Sequence, residues 1–276
     1  MRLPTFLFIG ADRCGSKWLH RVLRQHPDVF VPVIADPYFF DREYDRGLEW
    51  YADLFSAAPK SVRAIGELSH DYIHSAEAAE RIRRHLPDVK LIATLRHPAE
   101  RSFSSYSGAK AAGVMSESFE DALNSHAFLM HGSRYYSNVR PYLERFPSSQ
   151  IKLMLYDDLV ADPLGYAAEI FDFIGVPFAP HIDYHEVFNP LSKPIGGLGG
   201  ALSKRTANAL RKLGLVKVLG WGKSNAAIRK IFYRRLRAEE RPRMSDATRA
   251  RLAGVFAPEI DNLEKLTGRD LSAWRI

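Results

Sequence analysis

Residues 9–19 read Ile-Gly-Ala-Asp-Arg-Cys-Gly-Ser-Lys-Trp-Leu. The apolar run Thr5-Phe-Leu-Phe-Ile9 precedes them and reads as a buried strand. Beyond them, Trp18-Leu-His-Arg-Val-Leu-Arg-Gln25 places apolar residues at helical spacing. A strand, a glycine-bearing turn and a helix start together make an anion cradle. Unpaired backbone N–H groups converge there, and the helix dipole adds about half a positive charge. The segment predicts a turn that binds phosphate or sulfate.

The residue order departs from the nucleotide triphosphatase loop, Gly-x4-Gly-Lys-Ser/Thr, whose lysine reaches the β/γ-phosphates and whose hydroxyl holds Mg2+. Here Gly10-x4-Gly15 is followed by Ser16-Lys17, so each side chain stands where the other is required. Asp12 likewise breaks the dinucleotide pattern Gly-x-Gly-x-x-Gly. Taken alone, the turn is equally compatible with a structural role in which Ser16 merely caps the helix. A second segment shifts the balance. Residues 89–106 form another apolar strand pattern ending at Arg96; Pro98 then suits a helix start, where its missing N–H costs nothing. Ser104 follows about two helical turns later. A guanidinium fork and a hydroxyl placed this way suit a terminal phosphate. Ligands of open α/β sheets bind at the carboxyl ends of the strands. Two anion sites on one sheet edge predict a nucleotide charged at both ends of its ribose.

These residues resemble the sulfotransferase family that uses 3′-phosphoadenosine 5′-phosphosulfate (PAPS). Gly10-Ala-Asp-Arg-Cys-Gly-Ser16 looks like its 5′-phosphosulfate loop, and Leu95-Arg-His-Pro-Ala-Glu-Arg-Ser-Phe-Ser104 like its 3′-phosphate segment. Further matches are Asp36-Pro-Tyr-Phe-Phe-Asp41 with Arg46-Gly-Leu-Glu-Trp-Tyr51, Ile65-Gly-Glu-Leu-Ser-His-Asp-Tyr72, Tyr156-Asp-Asp-Leu159 and Gly268-Arg-Asp-Leu-Ser-Ala-Trp274. The similarity spans nearly the whole chain and is strongest to the carbohydrate-type branch, which includes bacterial enzymes and the heparan sulfate sulfotransferases. It implies PAPS as sulfate donor, PAP as product and no metal. Position by position, it implies that Arg13 stabilises the leaving oxygen. Cys14, Gly15, Ser16, Lys17 and Trp18 would hold the 5′-phosphosulfate, and Arg96 and Ser104 the 3′-phosphate, with Lys193 nearby. Glu67 is then the first candidate for the general base and Asp36 the second. Three departures stand out: Ala35 and Leu68 occupy positions of family lysines, and Cys14 replaces a common glycine. The first two predict an acceptor less anionic than heparan sulfate, unless basic residues elsewhere compensate. Cys14 either packs or leaves the loop open to alkylation.

Length and composition agree with an α/β protein. The 276 residues, 46% of them hydrophobic, suffice for one large domain. Apolar runs at 30–33, 62–68, 90–95 and 151–156 read as strands. Helical periodicity recurs at 48–55, 76–85, 119–124, 135–145, 166–174 and 245–266. This alternation predicts a mainly parallel sheet with helices on both faces, in line with the P-loop-like three-layer α/β/α fold that the resemblance implies. One cysteine excludes an internal disulfide and fits a reducing compartment. With no room for a leader before the loop at residue 10, the expectation is a cytoplasmic enzyme. The net charge of +7 is uneven: residues 193–243 carry 14 Lys/Arg against 2 Asp/Glu, leaving the remainder net negative. That stretch, opened by a glycine-rich loop, predicts either a solvated helix surface or a basic, partly mobile rim attracting anions. Residues 213–221 are a candidate for peripheral membrane contact. No nucleic-acid-reading module is recognisable. His70 and His74 lie at metal-pair spacing without a third ligand, so no metal is expected. The acceptor expected is a carbohydrate, glycolipid or small metabolite. Two alternatives stay open: a nucleoside or small-molecule kinase, and a non-catalytic polyanion-binding protein.

Overall fold

Five strands, β1 (Phe6–Gly10), β2 (Val29–Phe30), β3 (Ala64–Leu68), β4 (Lys90–Leu95) and β5 (Ile151–Leu155), form one parallel sheet in the order β2-β3-β1-β4-β5. The computed structural model describes residues 2–185 and 242–276, with the backbone of 192–194 and 233–235. Side chains alternate across the sheet, as the two-residue period of a strand requires. Phe6, Phe8, Ala64, Ile92 and Met154 pack toward α1 (Ser16–Gln25), α8 (Tyr156–Ala161) and α9 (Pro163–Ile174). Leu7, Ile9, Ile65, Leu91 and Ala93 face the opposite layer. That layer is built on α2 (Gly47–Asp53), α3 (Ala76–His85), α4 (Pro98–Ala111), α5 (Phe119–Ser125), α6 (Ala127–His131), α7 (Tyr135–Leu143) and α10 (Asp246–Thr267). Burial on both faces explains why the strands read as unbroken apolar runs. Phe6 pairs with Gly66, and a Cβ there would lie 2.0 Å from the Phe6 ring, so only glycine lets that ring cross β3.

The expected three-layer α/β/α fold is present. Its element boundaries follow local chemistry. Ser75 caps α3, accepting from the Ala78 N–H at 3.0 Å, and Ser245 caps α10, accepting from Thr248 at 3.1 Å. Gly268 closes α10 in the left-handed conformation. β2 is shorter than the 30–33 run suggested, because Pro32 has no N–H to give a ladder. The short α6 was not anticipated. Backbone strands β6 (Ser192–Pro194) and β7 (Tyr233–Arg235) pair antiparallel. The Lys193 side chain, the rest of the basic stretch at 193–243 apart from its last two residues, and the 213–221 candidate lie outside the described residues. Among the described residues, no helix is long and apolar enough to cross a membrane.

β1 lies between β3 and β4. The chain crosses to opposite sides of β1, so the turns after β1, β3 and β4 open side by side at the carboxyl edge. This is the switch point where open α/β sheets bind ligands. The site described below is built there.

Candidate active site

The turn after β1 has the form an anion cradle needs. Gly15 stands at the N-cap of α1 with φ 92°, a left-handed conformation that side chains rarely adopt, and a Cβ there would meet the Leu159 side chain at 2.7 Å. No side chain caps the helix. Ser16 is therefore the first helical residue rather than the cap, and the amide groups of the first turn face the loop without a capping oxygen. Lys17 is exposed on the same turn.

The two segments singled out in the sequence meet. Arg13, itself at φ 64°, donates from Nε to Ser104 Oγ at 3.1 Å. Arg96, at the end of β4, donates from Nη1 to the Arg13 carbonyl at 3.4 Å. Its guanidinium lies over the Tyr156 ring, 4.9 Å from the centroid, and 3.8 Å from Glu100. Arg249 of α10 binds the same Glu100 at 2.5 Å, adding a cation that the sequence reading did not anticipate. Residues 83 and 91 positions apart thus share one crevice.

The side chains of two cradle residues, Trp18 and Cys14, turn into the core. The Trp18 ring is only 7% exposed; its Nε1 donates to the Tyr184 carbonyl at 3.0 Å and its face meets Tyr166 edge-on. The indole belongs to the core, leaving only its backbone N–H for the cradle. Cys14 is fully buried, donates to the Asp12 carbonyl at 3.3 Å and lies 3.9 Å from the Tyr135 hydroxyl. Burial pushes its thiol up to about 12, so it packs and does not react.

The candidate bases differ in access. Glu67 is 1% exposed. One carboxylate oxygen accepts from the Tyr51 hydroxyl and the other from Ser69. Burial raises its carboxyl to about 7 in spite of hydrogen bonds from Ser69, Tyr51 and Tyr72. Glu67 stands on the face of β3 that points into the helical layer, away from solvent, which the strand pattern alone did not reveal. Each oxygen of this enclosed carboxyl already accepts a hydrogen bond from a core hydroxyl. Asp36 is 32% exposed and accepts from His70 Nδ1 at 2.6 Å. Both Asp36 and nearby Tyr38 have positive φ, 61° and 53°, marking a strained loop held over the site. His70 Nε2 lies 3.0 Å from the Tyr38 hydroxyl. Burial alone would lower the His70 pKa, but the hydrogen bond and charge of Asp36, with Asp71 and Asp12, hold it above the usual imidazole value.

Beneath the loop, Arg101 of α4 forms a buried ion pair with Asp12, whose other oxygen accepts from Ser105 at 2.9 Å. Burial works to raise the Asp12 carboxyl, but Arg101 and Ser105 hold it below the ordinary range. Gly132 leaves room for the guanidinium, since a Cβ there would fall 2.2 Å from it. Arg101 stood inside the quoted 95–104 motif without a role; its partner lies 89 residues away. A cavity of about 400 Å3 opens beside this pair, lined among others by Asp12, Arg42, Asp71, His74, Phe128 and His131. Among the described residues, no group of three His, Cys, Asp or Glu is placed to hold a metal ion.

A glycine-turned loop with two arginines beside it, at the switch point of a parallel sheet, defines a P-loop-like α/β protein with a cationic crevice at its sheet edge. The chain belongs to the Sulfotransferase domain family, which it matches over residues 3–193. It is 34% identical over 184 residues to heparan sulfate glucosamine 3-O-sulfotransferase 3B1 of Mus musculus, covering 63% of this chain and 47% of that one. It is 29% identical to the bifunctional heparan sulfate N-deacetylase/N-sulfotransferase 3 of Homo sapiens, over 67% of this chain and 23% of the relative. The chain thus spans about half the length, or less, of these curated relatives. Its fold matches a sulfotransferase from Alicyclobacillus acidocaldarius with a TM-score of 0.75 at 24% identity, covering 100% of both chains.

Proposed function

We propose that this protein transfers a sulfuryl group from PAPS to a hydroxyl of a carbohydrate, glycolipid or small metabolite. The observation that carries this reading is the contact of Arg13 with Ser104 and of Arg96 with the Arg13 carbonyl. It brings a 5′-anion cradle and a terminal-phosphate clamp into one crevice. The donor set suits PAPS: amides at the start of α1 with Ser16 and Lys17 for the phosphosulfate, Arg96 and Ser104 for the 3′-phosphate. When bound, the donor supplies an electrophilic sulfur and a phosphate leaving group. Arg13 stabilises the charge that develops on the bridging oxygen, and being permanently cationic it gives no proton. Positioning and charge stabilisation carry most of the catalysis, by analogy with phosphoryl transfer.

We assign the proton acceptor to Asp36 rather than Glu67, because the Asp36 side chain is 32% exposed whereas Glu67 is enclosed in the core. The Ser16-Lys17 order counts against a kinase.

The test is a labelled-sulfate transfer screen with PAPS against neutral, amino and sulfated glycans and small hydroxylated metabolites, alongside calorimetric binding of PAP and of ATP with Mg2+. PAP binding with labelled product supports the reading. Preferential binding of ATP with Mg2+ would favour the kinase. Polyanion binding that survives the Arg13→Ala, Arg96→Ala double substitution, with no transfer, would favour the binding protein.

A further inference from the structure

We propose that the cavity beside the Asp12–Arg101 pair is the acceptor subsite, and that it takes a neutral or amino-bearing polyhydroxyl unit of sugar-ring size rather than a sulfated glycan. This rests on the sulfotransferase reading above and names the acceptor class for the same site. Location comes first. Asp12 immediately precedes Arg13 in the loop, and Asp71 immediately follows His70, whose ring holds Asp36. The cavity therefore adjoins the loop that carries Arg13 and the His70–Asp36 pair, Asp71 standing 3.6 Å from the His70 ring.

The charge of the wall is the second observation. Its lining includes the carboxylates Asp12, Asp41 and Asp71 and the guanidinium groups Arg42 and Arg101. Both guanidinium groups are committed: Arg101 to Asp12, and Arg42 to Asp71, with Asp41 at 3.7 Å. Burial lowers His74 to about 4, so this wall residue is neutral at physiological pH. Neighbouring His70 faces Asp36 and the Tyr38 hydroxyl. Among the described lining residues, a sulfate or carboxylate of an acceptor would meet a carboxylate excess and find no uncommitted guanidinium. Like charges brought together across an interface discriminate strongly against a ligand. The absence of lysine at positions 35 and 68 points the same way, and Leu68 is buried.

The remaining features are those of polyol recognition. Arg101 is 2% exposed, yet its Nε has no hydrogen-bond partner, and buried His74 Nε2 has none either. Buried polar atoms are normally paired, so these two unpartnered atoms beside the cavity leave hydrogen-bonding capacity that a small shift of either side chain would offer to a ligand hydroxyl. Phe128, 49% exposed on the rim, offers an apolar ring to the C–H face of a sugar. A cavity of about 400 Å3 lies at the small end of ligand sites, roughly 300–1,000 Å3. It suits a short unit better than an extended chain.

The test measures direct binding to the full chain, with and without saturating PAP. The probes are a chitosan trisaccharide (amino), its fully N-acetylated counterpart (neutral) and a heparan sulfate hexasaccharide. We expect the amino or neutral trisaccharide to bind, Phe128→Ala to weaken it about tenfold, and the PAP dissociation constant to stay unchanged. Asp71→Asn, which releases Arg42, is expected to admit the sulfated hexasaccharide at a Phe128-dependent site. The inference is overturned if the unsulfated trisaccharides fail to bind, if their binding ignores Phe128→Ala, or if the wild-type hexasaccharide binding is Phe128-dependent. Because the trisaccharide arms are read without PAP as well, they decide the acceptor class independently. Failure of PAP to bind would instead strike the donor assignment.

Discussion

Glu67→Gln separates a buried structural carboxyl from a catalytic base. Burial raises the Glu67 carboxyl from an ordinary 4.5 to about 7, although three hydroxyls donate to it. Between these values the native state keeps a proton that the unfolded chain has released. Stability from this group is thus full below about pH 4.5 and is lost as pH rises to about 7. Each pH unit in that window changes stability by about 1.4 kcal/mol, so the whole loss is roughly 3 kcal/mol. Glutamine imitates the protonated form and does not titrate. The stability difference, wild type minus Glu67→Gln, should therefore fall by roughly 3 kcal/mol from pH 4.5 to pH 7.5. Urea titrations of both proteins across that range measure it, and the titrations shared by both cancel. Turnover in the same variant should stay within a few-fold of wild type, whereas Asp36→Asn should lower it about a hundredfold or more without changing PAP affinity. Parallel stability curves, or a Glu67→Gln variant that binds PAP normally but does not turn over, would refute the reasoning.

Other consequences are equally direct. Arg96→Ala should weaken PAP binding by about 1.5–3 kcal/mol, the range for a hydrogen bond to a charged group, read by calorimetry. Cys14 should resist iodoacetamide in the native protein and react at once in denaturant, because its thiol is fully buried and pushed up to about 12. Mass spectrometry reads both states. Arg101→Leu should cost about 2–4 kcal/mol in urea unfolding, less than for a fully buried pair, by taking the cation from the half-buried Asp12 carboxylate. Asp12→Asn combined with it should recover part of that loss.

Much of this architecture was legible because it depends on neighbours in sequence. The β1 run, the glycine turn and α1 are contiguous, and α3 and α10 announce themselves through Ser75 and Ser245. The approach of the 96–104 segment to the β1 turn was readable from strand-end and helix spacing, and the Arg13–Ser104 contact bears that placement out. What stayed hidden depends on which face a residue takes, or on partners far apart in the chain. Glu67 and its neighbours alternate across β3, and only the packing of Tyr51 and Tyr72 shows that its side of the strand is the enclosed one. The His70–Asp36 contact joins residues 34 positions apart, and Phe128 reaches the cavity on a five-residue helix too short to show a period. That the Trp18 side chain turns into the core, with its backbone at the cradle, depends on Tyr184, 166 positions away.

The central claim is that the 13–17 loop and the 96–104 segment hold opposite ends of one nucleotide. A crystal structure of the full chain with PAP tests it most directly. The account requires the 5′-phosphate on the amides of the α1 start and the 3′-phosphate on Arg96 and Ser104. A nucleotide bound elsewhere, or one touching only one of these segments, would contradict it.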